Sequence, residues 1–133
     1  MRVYVIGPVS GFPCLNREAF EEAARALRGA GHFPSIPHRN VPPDAEWPDA
    51  MRRSIRAMLR CNGVARLPDW RSSRGARIES RLALDLGMPV KDVAEWCHGA
   101  RGARCGRIGA DQSKWPQYLA EASCETTLIL TEC

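Results

Sequence analysis

The chain has 133 residues, 44% of them apolar, enough for one domain with a real core and hardly two. Its net charge of +4 comes from 17 arginines against two lysines. They are spread along every segment, with no basic tail and no interleaved aromatics, which argues against a nucleic-acid partner and for a small anionic one. The longest apolar opening run, Val3 to Val9, is too short for a secretion signal or a membrane span, so a cytoplasmic protein with no membrane contact is expected.

Arg2 to Gly7 is a short β-rich run that ends in a Gly-Pro turn, the pattern of a buried first strand. Asn16 is placed to cap a helix over residues 17 to 29. Phe20, Ala23, Ala24 and Leu27 follow helical spacing there, and Gly29 and Gly31 close it. Phe33 to Ile36 is a second short strand. The proline-rich stretch 37-PHRNVPPDAEWP-48 is expected to be irregular. Pro48 then suits the first position of a helix over 49 to 61, with Met51, Ile55, Met58 and Leu59 as its core face.

Gly63 to Leu67 is a third strand, 68-PDWRSS-73 a loop, and a further helix runs to about Leu86, where Gly87 stops it. Met88 to Val90 is a fourth strand, with a short helix over 91 to 97. Residues 98 to 133 form an irregular extension, with a short helix expected at 115 to 122 and a strand at 126 to 130. The six cysteines contain no CxxC pair and are expected as free thiols. Cys97, His98 and Cys105 match no standard zinc spacing, so no metal site is expected.

Strands alternating with helices imply a parallel sheet covered on both faces, residues 1 to 97 forming the α/β domain. Ligands bind such sheets beyond the carboxyl ends of the strands. Two loops lie there. One, 7-GPVSG-11, offers Gly7, Pro8, Ser10 and Gly11; the other brings Ser72, Ser73, Arg74 and Gly75 to a helix start suited to an anion. That helix carries one anomaly. The neighbours of Glu79 at helical spacing are Gly75, Ala76, Leu82, Ala83 and Leu86, while Arg77, Arg81 and Asp85 share the opposite face. A carboxylate on an apolar stripe is costly unless it is paired, protonated or used.

The pieces 4-YVIGPVSG-11, 16-NREAF-20, 51-MRRSIRAMLRCNGVARLPDW-70 and 72-SSRGARIESRLALDLGMPV-90 occur in order. Together they resemble the nucleoside 2-deoxyribosyltransferase superfamily. The likeness is strongest to a small phage and bacterial branch of unknown function, near the deoxynucleoside 5′-monophosphate N-hydrolases. The resemblance covers roughly residues 1 to 96. It implies a flavodoxin-like three-layer fold with a central parallel sheet of four to five strands, and cofactor-free chemistry on a small nucleoside or nucleotide. Glu79 would be the nucleophile at C1′ of a 2-deoxyribosyl group, Ser73 a phosphate ligand, and Tyr4 a residue lining the site. Relatives commonly build their sites near a dimer interface, which implies a homodimer or higher homo-oligomer.

Where that family has an Asp before the third strand, assisting the nucleophile or the leaving base, this chain has Asn62, which cannot deliver a proton. Asp69 is one substitute; the alternative is a nucleotide-binding module that has lost turnover. Ser73 is equally a plain N-cap, Tyr4 a core aromatic, His38 a solvated loop residue or part of a lid, and Trp47 and Trp70 loop covers or stacking platforms.

Overall fold

The computed structural model describes residues 1–98. The helix and strand expected within 115 to 130 lie outside the described residues, as does Cys105. Four strands, β1 (Arg2–Ile6), β2 (Phe33–Ser35), β3 (Gly63–Arg66) and β4 (Val90–Asp92), form one all-parallel sheet in the order β2-β1-β3-β4. Tyr4 sits opposite Ser35 on one side and Val64 on the other, and Ile6 opposite Arg66. Five helices cover the sheet: α1 (Arg17–Gly29), α2 (Pro37–Asn40), α3 (Trp47–Leu59), α4 (Arg74–Asp85) and α5 (Val93–His98). This is the α/β, flavodoxin-like, three-layer arrangement. Among the described residues no helix is long and apolar enough to cross a membrane.

Strand alternation splits the core in two. Val3, Val5, Ala65 and Leu67 face α1 and α5, packing on Phe20, Ala23, Leu27 and Trp96. Tyr4, Ile6 and Val64 face α3 and α4, packing on Ala57, Met58, Ala76 and Ala83. Trp96 donates its indole N–H to the Val64 carbonyl at 2.9 Å. It lies so close over β3 that a Cβ on Gly63 would come within 2.7 Å of its ring.

Several local expectations shift. Residues 37 to 40 are not irregular: Pro37 starts a helical turn, and the Asn40 amide donates to the Ile36 carbonyl at 2.9 Å and to Ser35 Oγ at 3.1 Å. Helix α3 begins at Trp47, so Pro48 is its second residue, still where no intrahelical N–H bond is lost. Its buried line is Ser54, Ala57 and Met58, and Leu59 is exposed. In α4 the buried line is Ala76, Glu79, Ser80 and Ala83, leaving Leu86 exposed.

Asn16 stands at the N-cap position of α1, as expected, but its side chain makes no capping hydrogen bond. It adopts left-handed backbone, and its amide donates to the Pro8 carbonyl at 2.9 Å. Strand β4 starts two residues late because Gly87, at φ 72°, and Met88 are used to end α4: Met88 N–H donates to the Ala83 carbonyl at 2.9 Å, the closure of a left-handed C-cap. Among the described cysteines Cys61 and Cys97 are free thiols, as expected.

Candidate functional site

In the order β2-β1-β3-β4, β1 connects away to one side and β3 lies on the other, so the loops leaving β1 and β3 diverge and a crevice opens between them. A cleft of about 220 Å³ occupies that position. The end of β1 supplies Ile6 and Gly7, the following loop Val9, Ser10 and Leu15, and the α2 region Pro37, His38 and Val41 to Pro43. Helix α3 adds Trp47, Met51 and Ser54, and the start of α4 adds Ser73, Gly75, Ala76 and Glu79. The walls are mostly apolar, with a few converging polar groups, as in small-molecule sites.

Glu79 is 5% exposed. Burial pushes its carboxyl up to about 7, opposed by the hydrogen bond that the Ser54 hydroxyl donates to its Oε1. Tyr4, fully buried beneath the cleft, lies 2.5 Å from Ser54 through its hydroxyl. Burial first, and the Glu79 charge second, hold the Tyr4 phenol well above its ordinary pKa, so it stays protonated. Sequence reasoning passed over Ser54, although the signal existed: it is a polar residue on the core side of α3, the same anomaly that marks Glu79 on α4.

Gly7, Ser10, Ser73 and Gly75 line the cleft with Glu79. Ser73 caps α4 by accepting the Ala76 N–H at 3.2 Å, which leaves its own O–H to donate toward the cleft. Gly75 sits where α3 meets α4, and a Cβ there would lie 2.9 Å from Sδ at the flexible end of Met51. Gly7 is needed against β3, where a Cβ would lie 2.6 Å from Leu67 Cδ1. Pro8, Gly11, Ser72 and Arg74 flank the cleft without lining it. The Pro8 carbonyl holds Asn16, and Gly11 turns at φ 86°. Ser72 turns its hydroxyl to the Asp69 carbonyl at 2.7 Å. Arg74 places its guanidinium 4.3 Å over the ring of Trp47, a rim residue 41% exposed.

Asn62 is the clear correction. It precedes β3 at the amino edge of the sheet, is exposed, and exchanges hydrogen bonds with the Arg2 backbone, its N–H donating to the Arg2 carbonyl at 2.8 Å. The parallel strands carry the cleft at their other end, so Asn62 is not brought to Glu79. Asp69 is exposed and does not line the cleft either. Trp70 covers the loop, with the guanidiniums of Arg66 and Arg71 4.8 and 5.3 Å from its ring.

His38 is not a solvated loop residue. It lines the cleft, its Nε2–H donates to the Leu15 carbonyl at 2.7 Å, and Phe20 packs edge-on against its ring. Burial holds its pKa below the ordinary value. The carbonyl it grips belongs to an unusual run, Cys14, Leu15 and Asn16, with φ of 48°, 56° and 59°. Left-handed backbone on non-glycine residues is disfavoured and persists where the surroundings enforce it. Here the His38 and Asn16 hydrogen bonds do so at the cleft wall.

A family model described as a domain of unknown function (DUF4406) matches residues 1–92. The chain belongs to the DUF4406 family. The DUF4406 stretch ends with β4 and contains every residue lining the cleft. No curated protein matches the chain.

Proposed function

We propose that the cleft is the active site of a cofactor-free N-glycosidase. Its substrates are 2-deoxyribonucleosides or their 5′-monophosphates, and it cleaves or transfers the deoxyribosyl group through a covalent Glu79 intermediate. The observation that carries this reading is Glu79 itself: among the described residues the one carboxylate lining the cleft, almost excluded from water, yet exposed to a ligand-sized space. The resemblance to nucleoside 2-deoxyribosyltransferases gives it the matching chemistry. A poorly solvated carboxylate is a strong nucleophile toward an oxocarbenium-like carbon. A Glu79 oxygen bonds to C1′ as the C1′–N bond breaks, and the base leaves with the bonding pair and is protonated. Water or a second base then attacks C1′, releasing the carboxylate.

The remaining groups fit the rest of the substrate. The Ser73 hydroxyl and the positive end of α4 suit a 5′-phosphate, with Arg74 nearby. Trp47 offers an exposed ring at the rim for a base. The cleft is smaller than the roughly 300–1,000 Å³ typical for drug-sized ligands, so the sugar goes deep and the base or phosphate extends to the mouth. His38, the other titratable lining residue, is held neutral by burial.

Retaining glycosidases usually employ two carboxylates, and among the described residues one lines this cleft. That observation favours a second reading, a nucleotide-binding module with weak or no turnover. Incubation with deoxynucleosides and their monophosphates, followed by chromatography of free base, separates the two. Base release that disappears in Glu79→Ala and Glu79→Gln supports the enzyme. Ligand-induced thermal stabilisation without base release leaves the binder, and release that survives both substitutions refutes Glu79 as nucleophile.

A further inference from the structure

We propose that Ser54 is the positioning residue of this cleft: it transmits the Tyr4 hydrogen bond to Glu79 and determines which carboxylate oxygen is left for a substrate. A serine inside a helix normally faces solvent or bonds back to the carbonyl one turn earlier. Ser54 is 6% exposed and its hydroxyl is directed at two side chains from other elements, Tyr4 of β1 and Glu79 of α4.

The direction of the chain follows from proton count. A serine hydroxyl has one proton to donate, and an ionised carboxylate only accepts. With that proton on Glu79 Oε1, Ser54 Oγ must accept from Tyr4, whose phenol burial keeps protonated. Tyr4 O–H therefore polarises the Ser54 hydroxyl, which holds Oε1. Oε2 is left for the cleft. Each member comes from a different element, so the chain exists only once the sheet and both helices have assembled.

Among the described residues no other charged group substitutes for this contact. The arginines of α3, Arg52, Arg53 and Arg56, are exposed, as are Arg77 and Arg81 on α4. Among the described residues no Lys or Arg lines the cleft, and His38 lies across it on α2. Cys61, beyond the end of α3, bears on Tyr4. What opposes the burial of Glu79 is Ser54.

The experiment is a carboxyl ¹³C NMR titration of Glu79 in the full chain, and it needs no substrate. Ser54→Ala should move the Glu79 midpoint upward by about 1 on the pH scale, the size expected for losing a hydrogen bond to a charged group. Ser54→Thr, which keeps a hydroxyl, should hold the midpoint near the wild-type value. Tyr4→Phe should raise it less than Ser54→Ala does, and should add nothing in the Ser54→Ala background. Should Ser54→Ala fail to fold, Ser54→Cys replaces it, since a thiol is only a weak donor. An unchanged midpoint in Ser54→Ala or Ser54→Cys overturns the proposal, and so does a Tyr4→Phe shift of equal size in both backgrounds.

The proposal rests on Glu79 as the reactive group only for its functional meaning. A relay seen in the titration with no base released would leave the hydrogen-bond chain standing and remove the glycosidase reading. Base release with an unmoved midpoint would do the reverse. Where both hold, the acid limb of the pH–rate profile moves with the midpoint in each variant.

Discussion

Glu79→Gln tests the burial of the Glu79 carboxyl through stability alone. In the folded chain the carboxyl is raised from 4.5 to about 7. At about 1.36 kcal/mol for each tenfold change in proton affinity, the ionised form costs the fold about 3 kcal/mol. A group whose folded pKa is raised leaves the folded state holding more protons than the unfolded chain between the two values, so stability falls as pH rises through that window. The cost is absent below pH 4.5 and complete above pH 7. Gln cannot ionise and escapes it. Urea unfolding of wild type and Glu79→Gln at pH 4, 5.5, 7 and 8.5 should show the variant gaining on wild type by about 3 kcal/mol from the lowest to the highest pH. A constant offset from the buried amide, about 1–3 kcal/mol, displaces the whole curve without changing its slope. Titration of His38 cancels in the difference. A difference that is flat with pH would mean that Glu79 is solvated or paired in the fold, and the case for a desolvated nucleophile would fail.

Four further outcomes follow from named contacts. His38 has its pKa lowered, so wild-type stability should drop as pH falls through and below 6.5; His38→Gln should flatten that drop in acid denaturation curves. Gly7→Ala forces a Cβ against the stem of Leu67 and should cost about 1–3 kcal/mol in urea melts, whereas Gly75→Ala meets the flexible end of Met51 and should leave the melting midpoint nearly unchanged while weakening ligand binding by calorimetry. Ser73→Asp keeps a good N-cap, so thermal stability should hold, but it sets a negative charge against a phosphate and should abolish use of monophosphates ahead of free nucleosides.

The parallel sheet and the position of the cleft were legible because both follow from local pattern: β-rich runs alternating with helical spacing, and glycines at Gly7 and Gly75 where chains approach closely. Glu79 was legible as a break in that pattern. Ser54 left the same mark and was masked by the methionines beside it, since serine is small enough to pass as core filler. His38 was not readable, because its role depends on the Leu15 carbonyl, presented by three left-handed residues with no glycine among them. The start of β4 was missed for a similar reason: the cap closing α4 takes up Gly87 and Met88, and that requires knowing where the helix ends.

Asn62→Asp decides between a role read from resemblance and one read from geometry. If the residue before the third strand assisted Glu79, restoring a carboxylate there should raise the rate of base release and add an acid-dependent limb to its pH profile. In this fold Asn62 stands at the amino edge, bonded to the Arg2 backbone, while Glu79 opens at the carboxyl edge. The four residues of β3 alone separate those edges by roughly 13 Å at about 3.3 Å per residue, several times a hydrogen-bond length. No rotamer of a four-heavy-atom side chain spans that gap. Asn62→Asp should therefore leave both rate and pH profile as in wild type, and any loss should appear only in stability, through the weakened Arg2 contact. A rate increase of tenfold or more would show that the amino edge reaches the reaction, and the cleft at the carboxyl edge would have to be given up as the place where the base is released.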